Sequence, residues 1–147
     1  MAEILSEAHD AFIQRCRVGR LTTVDARGEA FSVPICYAFD GSRFFTPIDE
    51  KPKRTDRPLK RVRNIEETGR ATLLIDHYDD DDWSRLAWVM IRGSAVVIGP
   101  GDSLHAPAVT LLRDRYPQYH EMRLEVASMI VLTPDRVTAW GRFEAAP

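Results

Sequence analysis

Cysteine is nearly absent from this chain: Cys16 and Cys36 are the two in 147 residues, and neither belongs to a Cys-x-x-Cys pair. A disulfide framework and a thiolate zinc site are therefore excluded, and a reducing, cytoplasmic location is expected. No run approaches the ~18 apolar residues that a membrane-spanning helix needs. The stretch Met1 to Arg17 alternates acidic and apolar residues, without the basic start and apolar core of an export signal. Net charge is equally scarce, −2 overall. The molecule thus has no long-range pull on nucleic acid or anionic membrane, and neither is expected as a partner.

Lysine is the rarest charged residue. Of 20 basic residues 17 are arginine, and the three lysines, Lys51, Lys53 and Lys60, fall within ten positions of one another. Arginine-heavy usage follows from a GC-rich genome; lysines kept against that background mark places suited to a compact, strongly hydrated ammonium.

What is present is an ordinary globular composition, 44% hydrophobic and 29% charged, long enough for one core. Residues 1–147 are read as a single domain without linker, repeat or low-complexity tract. Ile4, Leu5, Ala8, Ala11, Phe12 and Ile13 recur at helical spacing behind the entry signals Ser6 and Glu7. The period then changes to two over Val18 to Val24 and Ala30 to Phe39, around the turn Ala26-Arg27-Gly28-Glu29. Asp40-Gly41-Ser42 turns into a third strand, Arg43 to Ile48, and the three are expected to form a meander.

Pro58 to Thr68 reads as a helix with Leu59, Val62 and Ile65 on one face and Gly69 as its stop. Ala71 to Asp76 and Leu86 to Ile98 are almost continuously apolar, as suits strands covered on both faces. A last helix, Ser103 to Tyr116, is expected to be capped by Asp102 or Ser103. One or two strands follow over Met129 to Gly141, with a turn at Thr133-Pro134-Asp135. About six strands with helices at the edges predict an α+β fold, a six-stranded antiparallel split β-barrel.

The sharpest local feature is Phe44-Phe45-Thr46-Pro47-Ile48-Asp49-Glu50-Lys51-Pro52-Lys53-Arg54, a strand running into a cationic loop. From Lys51 to Arg63 seven basic residues stand against Asp56 alone. Cationic side chains just before a helix N-terminus, with its free N–H groups, are suited to a phosphate.

Over nearly its whole length the chain resembles the pyridoxamine-phosphate-oxidase-like split-barrel superfamily, and more closely its actinobacterial branch of deazaflavin (coenzyme F420)-dependent oxidoreductases. The resemblance is carried by Gly19-Arg20-Leu21-Thr22-Thr23-Val24 with Gly28 and Pro34-Ile35-Cys36-Tyr37; by Phe45-Thr46-Pro47 with Lys51-Pro52-Lys53-Arg54; by Asn64-Ile65; and by Trp88-Val89-Met90-Ile91-Arg92-Gly93. It implies a homodimer acting on a small-molecule substrate, with coenzyme F420, or alternatively flavin mononucleotide (FMN), bound across the interface. The implied cofactor contacts are Pro34, Thr46, Pro47, Lys51, Lys53, Arg54 and, from the second subunit, Trp88. The lysine matching Lys53 holds the phosphate, and the stretch matching Phe45-Thr46-Pro47 lies beside the ring.

Trp88 stands where FMN-using oxidases carry a polar residue, which favours the deazaflavin. The family's C-terminal Arg-x-His element for pyridoxal phosphate is missing, since Trp140-Gly141-Arg142 runs on into Phe143. A non-catalytic protein binding a flavin, deazaflavin or tetrapyrrole in the same cleft is the competing class. No catalytic residue is assigned: Tyr37, Tyr78 and His77 carry protons but read as packed or surface groups. The run His77-Tyr78-Asp79-Asp80-Asp81-Asp82-Trp83 lacks the spacing of a calcium loop and reads as a solvated loop bordering a substrate entrance. Trp83 and Trp88 flank it and are candidates for the walls of an apolar pocket. Cys36 reads as buried, and His105 and His120 as surface residues.

Overall fold

The computed structural model describes residues 5–48 and 58–143. Lys51, Lys53 and Arg54 lie outside the described residues, as does Arg57. Helix α1 (Glu7–Arg15) starts at Ser6, whose hydroxyl accepts from the His9 N–H at 3.1 Å, and buries Phe12 and Ile13. Strands β1 (Gly19–Val24) and β2 (Ala30–Ile35) form the expected hairpin, its turn held by the Asp25 carboxylate accepting from the N–H groups of Arg27 and Glu29. Next come β3 (Ala38–Phe39), β4 (Phe44–Pro47), α2 (Lys60–Thr68), β5 (Arg70–His77), β6 (Ala87–Ile98), α3 (His105–Arg115) and β7 (Met129–Gly141). Gly69, at φ 68°, ends α2 in the left-handed region open to glycine.

The sheet has seven strands, not six, in the order β2-β1-β5-β6-β7-β4-β3. The expected meander does not form. Ala30 to Phe39 breaks at Cys36–Tyr37, and its two pieces, β2 and β3, are the opposite edges of the sheet. Since only two residues separate Ile35 from Ala38, the edges cannot lie more than about 11 Å apart at that point. The sheet must therefore curl almost into a closed barrel, without a ladder across the gap.

β7 also differs from expectation. It runs without a turn through Thr133-Pro134-Asp135, paired with β6 from Ala87↔Gly141 to Ile98↔Met129, and the register slips by one at Arg92/Gly93. This bulge takes up the residue that would otherwise break the ladder at Pro134. Gly93 permits it: a Cβ there would stand 2.0 Å from the Thr133 carbonyl oxygen.

The barrel core holds Leu21, Ile35, Tyr37, Phe44, Leu73, Ile75, Val89, Ile91, Ile130 and Leu132, with α1 and α2 packed on it. A second core, Phe45, Ala108, Val109, Leu112, Leu124, Met129 and Val131, fills the space under α3. α3 is shorter than expected, and Asp102 acts one step earlier, accepting from the Leu104 N–H. His105 is buried at 3% exposure, with Nε2 2.6 Å from the Ala127 carbonyl, contrary to the surface position expected for it. His120 is exposed as expected.

Two changes test this architecture by urea unfolding. Gly93→Ala should destabilise by about 3 kcal/mol, the upper range for forcing atoms into a filled space. Tyr37→Phe, which removes hydrogen bonds to the Ile13 and Cys16 carbonyls, should lower the unfolding free energy by about 1–2 kcal/mol, read as a lower midpoint at constant slope.

Candidate functional site

The curled sheet has one face on the core and one turned outward, and register decides which residues share the outer face. Pro34 stands opposite Arg20, Arg20 opposite Leu74, and Leu74 opposite Met90. One pair further along, Asp76 stands opposite Trp88 and Trp88 opposite Trp140. Leu74, Met90 and Trp88 are half-buried, and Trp140 is 55% exposed. Four of these five adjacent strands thus contribute to a partly exposed apolar band, into which β1 places Arg20. Arg20 and Asp76 cross it as an ion pair at 2.8 Å.

Of the residues singled out in the sequence, Pro34 and Trp88 lie on this outer face. Thr46 and Pro47 do not: both are buried in β4, Thr46 at 6% exposure, paired with Ile130 and Met129. The first basic residue described after the cationic stretch, Lys60, reaches the Asp25 carboxylate at 3.4 Å, at the end of β1 where the hairpin turns.

The proton carriers separate clearly. Tyr37 is fully buried, its hydroxyl donating to the carbonyls of Ile13 at 2.6 Å and Cys16 at 2.9 Å. Burial pushes its pKa well above that of an ordinary tyrosine, only partly opposed by the Arg115 guanidinium. It is a structural tie and not a proton donor to a ligand. Tyr78 is exposed and bonds Asp80 at 2.9 Å.

Asp79 accepts from the N–H groups of Asp81 and Asp82. Asp82 caps the 3₁₀ turn Trp83–Arg85 and accepts from Ser84 N–H and Oγ, which holds its carboxyl below the ordinary pKa. Asp79 and Asp82 thus spend carboxylate oxygens on the loop's own backbone, and no group of metal-ligating residues occurs among the described residues. Trp83 is 69% exposed and Cys36 half-buried.

At the rim where β1 and β6 begin and β5 and β7 end, a cleft of about 710 Å³ opens. Five arginines line it: Arg15 and Arg17 from the end of α1, Arg20 from β1, Arg85 from the 3₁₀ turn and Arg142 after β7. Asp76, His77 and Asp82 share it with Phe12, Cys16 and Val18. Burial raises the Cys16 thiol pKa, so it stays protonated and inert. This cluster is not legible in the sequence, because its arginines are spread from position 15 to 142 and only the fold collects them.

Comparison with known proteins bears on this arrangement. A conserved hypothetical protein from Mycobacterium tuberculosis superimposes with a TM-score of 0.69 at 22% identity, over 96% of this chain and 88% of that one. The heme storage protein HutZ of Vibrio cholerae does so with a TM-score of 0.68 at 13% identity, over 90% of each chain. At these identities the likeness is one of fold. In sequence, the chain is 27% identical over 123 residues to a 5a,11a-dehydrotetracycline/5a,11a-dehydrooxytetracycline reductase of Streptomyces rimosus, over 84% of this chain and 73% of the relative. The family model described as pyridoxamine 5'-phosphate oxidase matches residues 5–141, almost the whole chain, and the protein belongs to that family.

Proposed function

We propose that the protein is an oxidoreductase that uses coenzyme F420 to transfer hydride to or from a small organic substrate, at a site shared by two subunits. The observation that carries this reading is the partly exposed apolar band through Pro34, Leu74, Met90, Trp88 and Trp140. One side of the sheet is core, so a band of this kind on the other side calls for a second apolar surface. A second copy related by a two-fold axis supplies one and brings Trp88 of each subunit to the other. The similarity to a tetracycline-derivative reductase supports oxidoreduction over simple binding.

The residues present suit a flat heteroaromatic ring carried on a phosphate-bearing chain. Pro34 and Trp88 offer apolar surface on one face, and no ionised side chain other than the paired Arg20 and Asp76 lies between them. When bound, the deazaflavin supplies the hydride donor or acceptor. The chain's own contribution is to hold Trp88 against the ring, keep water from it, and anchor the phosphate through Lys51, Lys53 and Arg54. Thr46 and Pro47 act from beneath, fixing the β4 backbone that leads into the cationic stretch. With the Tyr37 hydroxyl committed to two carbonyls, no side-chain acid is assigned, and positioning carries the chemistry.

Titration of the pure protein with F420, followed by fluorescence, should show micromolar binding; a yellow protein as purified would point to FMN instead. Lys53→Ala should weaken coenzyme binding by about 1.5–3 kcal/mol, the scale of one charge-assisted hydrogen bond, and an unchanged dissociation constant would place the phosphate elsewhere. Sedimentation should report a dimer, and Met90→Glu, which puts a charge in the centre of the band, should split it. A wild-type protein that stays monomeric at all concentrations would defeat the shared-site reading.

A further inference from the structure

We infer that a second copy of this chain packs on the outer face in one orientation, turned about an axis that crosses the strands, so that Arg92 and Arg136 of each copy meet the Tyr78–Asp82 loop of the other. The inference rests on the shared-site reading above and adds to it the direction and register of the pairing.

The outer face is ordered by charge along its strands. Trp88 with Trp140, and Leu74 with Met90, make two apolar rows. One row further from the β5–β6 loop, Thr72 stands opposite Arg92 and Arg92 opposite Arg136. Like charges directly opposite in a ladder are unfavourable, and neither guanidinium has a hydrogen bond or ion pair to another described residue. At the other end, the loop joining β5 to β6 sets Asp79, Asp80, Asp81 and Asp82 against Arg85 alone. Asp80 takes only the uncharged Tyr78 hydroxyl, at 2.9 Å.

Two sheets packed face to face by a two-fold axis leave two choices, because the axis must lie in the plane between them. An axis along the strands keeps every row over itself, which lays Arg92 on the partner subunit's Arg92 and one four-aspartate loop on the other. Both ends then repel. An axis across the strands reverses the order of the rows, and midway between the two apolar rows it covers each with the other. Trp88 of each copy then lies over the row that runs from the partner's Pro34 to the partner's Met90, as a ring shared by two subunits requires. At about 3.3 Å per residue, Arg92 and Arg136 stand roughly 10 Å from that axis on one side, and the loop begins roughly 10 Å from it on the other, at Tyr78. The arginines of each copy thus fall on the aspartates of the other, twice per dimer.

The test is native mass spectrometry of the full chain in two double variants, Arg92→Glu with Arg136→Glu and Asp80→Lys with Asp81→Lys. Each variant alone opposes like charges at both contacts and should weaken the dimer about tenfold or more. Mixed in equal amounts, the two should form a heterodimer well above the half share of random pairing, because one contact keeps its native charges and the other has them exchanged. Raising salt from about 50 mM to about 500 mM should weaken the wild-type dimer and erase that preference. Circular dichroism checks folding, and Arg136→Glu and Asp81→Lys, single changes at exposed positions, repeat the experiment where a double variant does not fold.

A dimer unmoved or tightened by the charge reversals would overturn the inference. So would a mixture that pairs at random, or a wild-type protein that stays monomeric. A dimer split by Met90→Glu yet indifferent to the reversals defeats the orientation and leaves the shared site standing, and F420 binding is read separately by fluorescence.

Discussion

The carbonyl groups released at the end of α1 must find donors, and the way this chain supplies them ties most of the structure together. The Arg115 guanidinium, at the last turn of α3, donates to the carbonyls of Gln14 at 2.7 Å and Ile13 at 3.3 Å and also to Cys16, while stacking over the Tyr37 ring. The Tyr37 hydroxyl takes the same Ile13 and Cys16 carbonyls from the other side. Tyr116 accepts from the Tyr37 N–H and donates to Arg17. A positive charge at a helix C-terminus is favourable in itself, and here it also fixes three segments far apart in sequence. Tyr37 belongs to the two-residue link between the sheet edges, so the network that caps α1 also holds the barrel at its split.

That constraint explains where the cleft opens. Once the end of α1 is pinned to α3 and to the β2–β3 link, Arg15, Arg17 and Val18 have no freedom to fold back onto the core. They are presented along the rim of the sheet beside the ends of β5 and β7. The Arg17 guanidinium stacks on Tyr116 at 4.7 Å, so its position is set by the same ring that completes the cap. A basic rim is thus a by-product of closing the barrel, since the same ties that cap α1 bring Arg15 and Arg17 beside Arg20, Arg85 and Arg142.

Patterns local in sequence were the ones legible in advance. The hairpin at Asp25–Glu29, the Gly69 stop, Ser6 as a cap and the apolar strands β5 and β6 all follow from spacing and turn chemistry within about ten residues. What sequence did not reveal depends on distant partners. Ala30 to Phe39 looks like one strand because alternation says nothing about which neighbour each half will have. Thr133-Pro134-Asp135 looks like a turn because the proline's missing N–H is harmless only where Gly93, forty residues earlier, allows a bulge. His105 looks like a surface residue until the Ala127 carbonyl is brought within 2.6 Å of it. The same limit applies to the rim and the outer face: Pro34 and Trp88 were nominated through whole-chain resemblance and fall on one face of the sheet, whereas the scattered arginines are collected only by the folded chain.

The outer face and the rim meet at one place. Asp76 stands opposite Trp88 in the ladder and also lines the cleft, and its partner Arg20 does the same opposite Pro34. A ring lying against Trp88 would therefore have this ion pair at its border, with the arginine rim beyond. An exposed pair of this kind contributes little stability, so its interest lies in position: it crosses the apolar band between Pro34 and Trp88 and also lines the arginine rim. Hydride transfer demands that the two reacting atoms be held at near contact while the rest of the substrate is gripped elsewhere. Under the proposed reading the apolar platform would hold the ring and no catalytic acid is called for, in keeping with the burial of the Tyr37 hydroxyl.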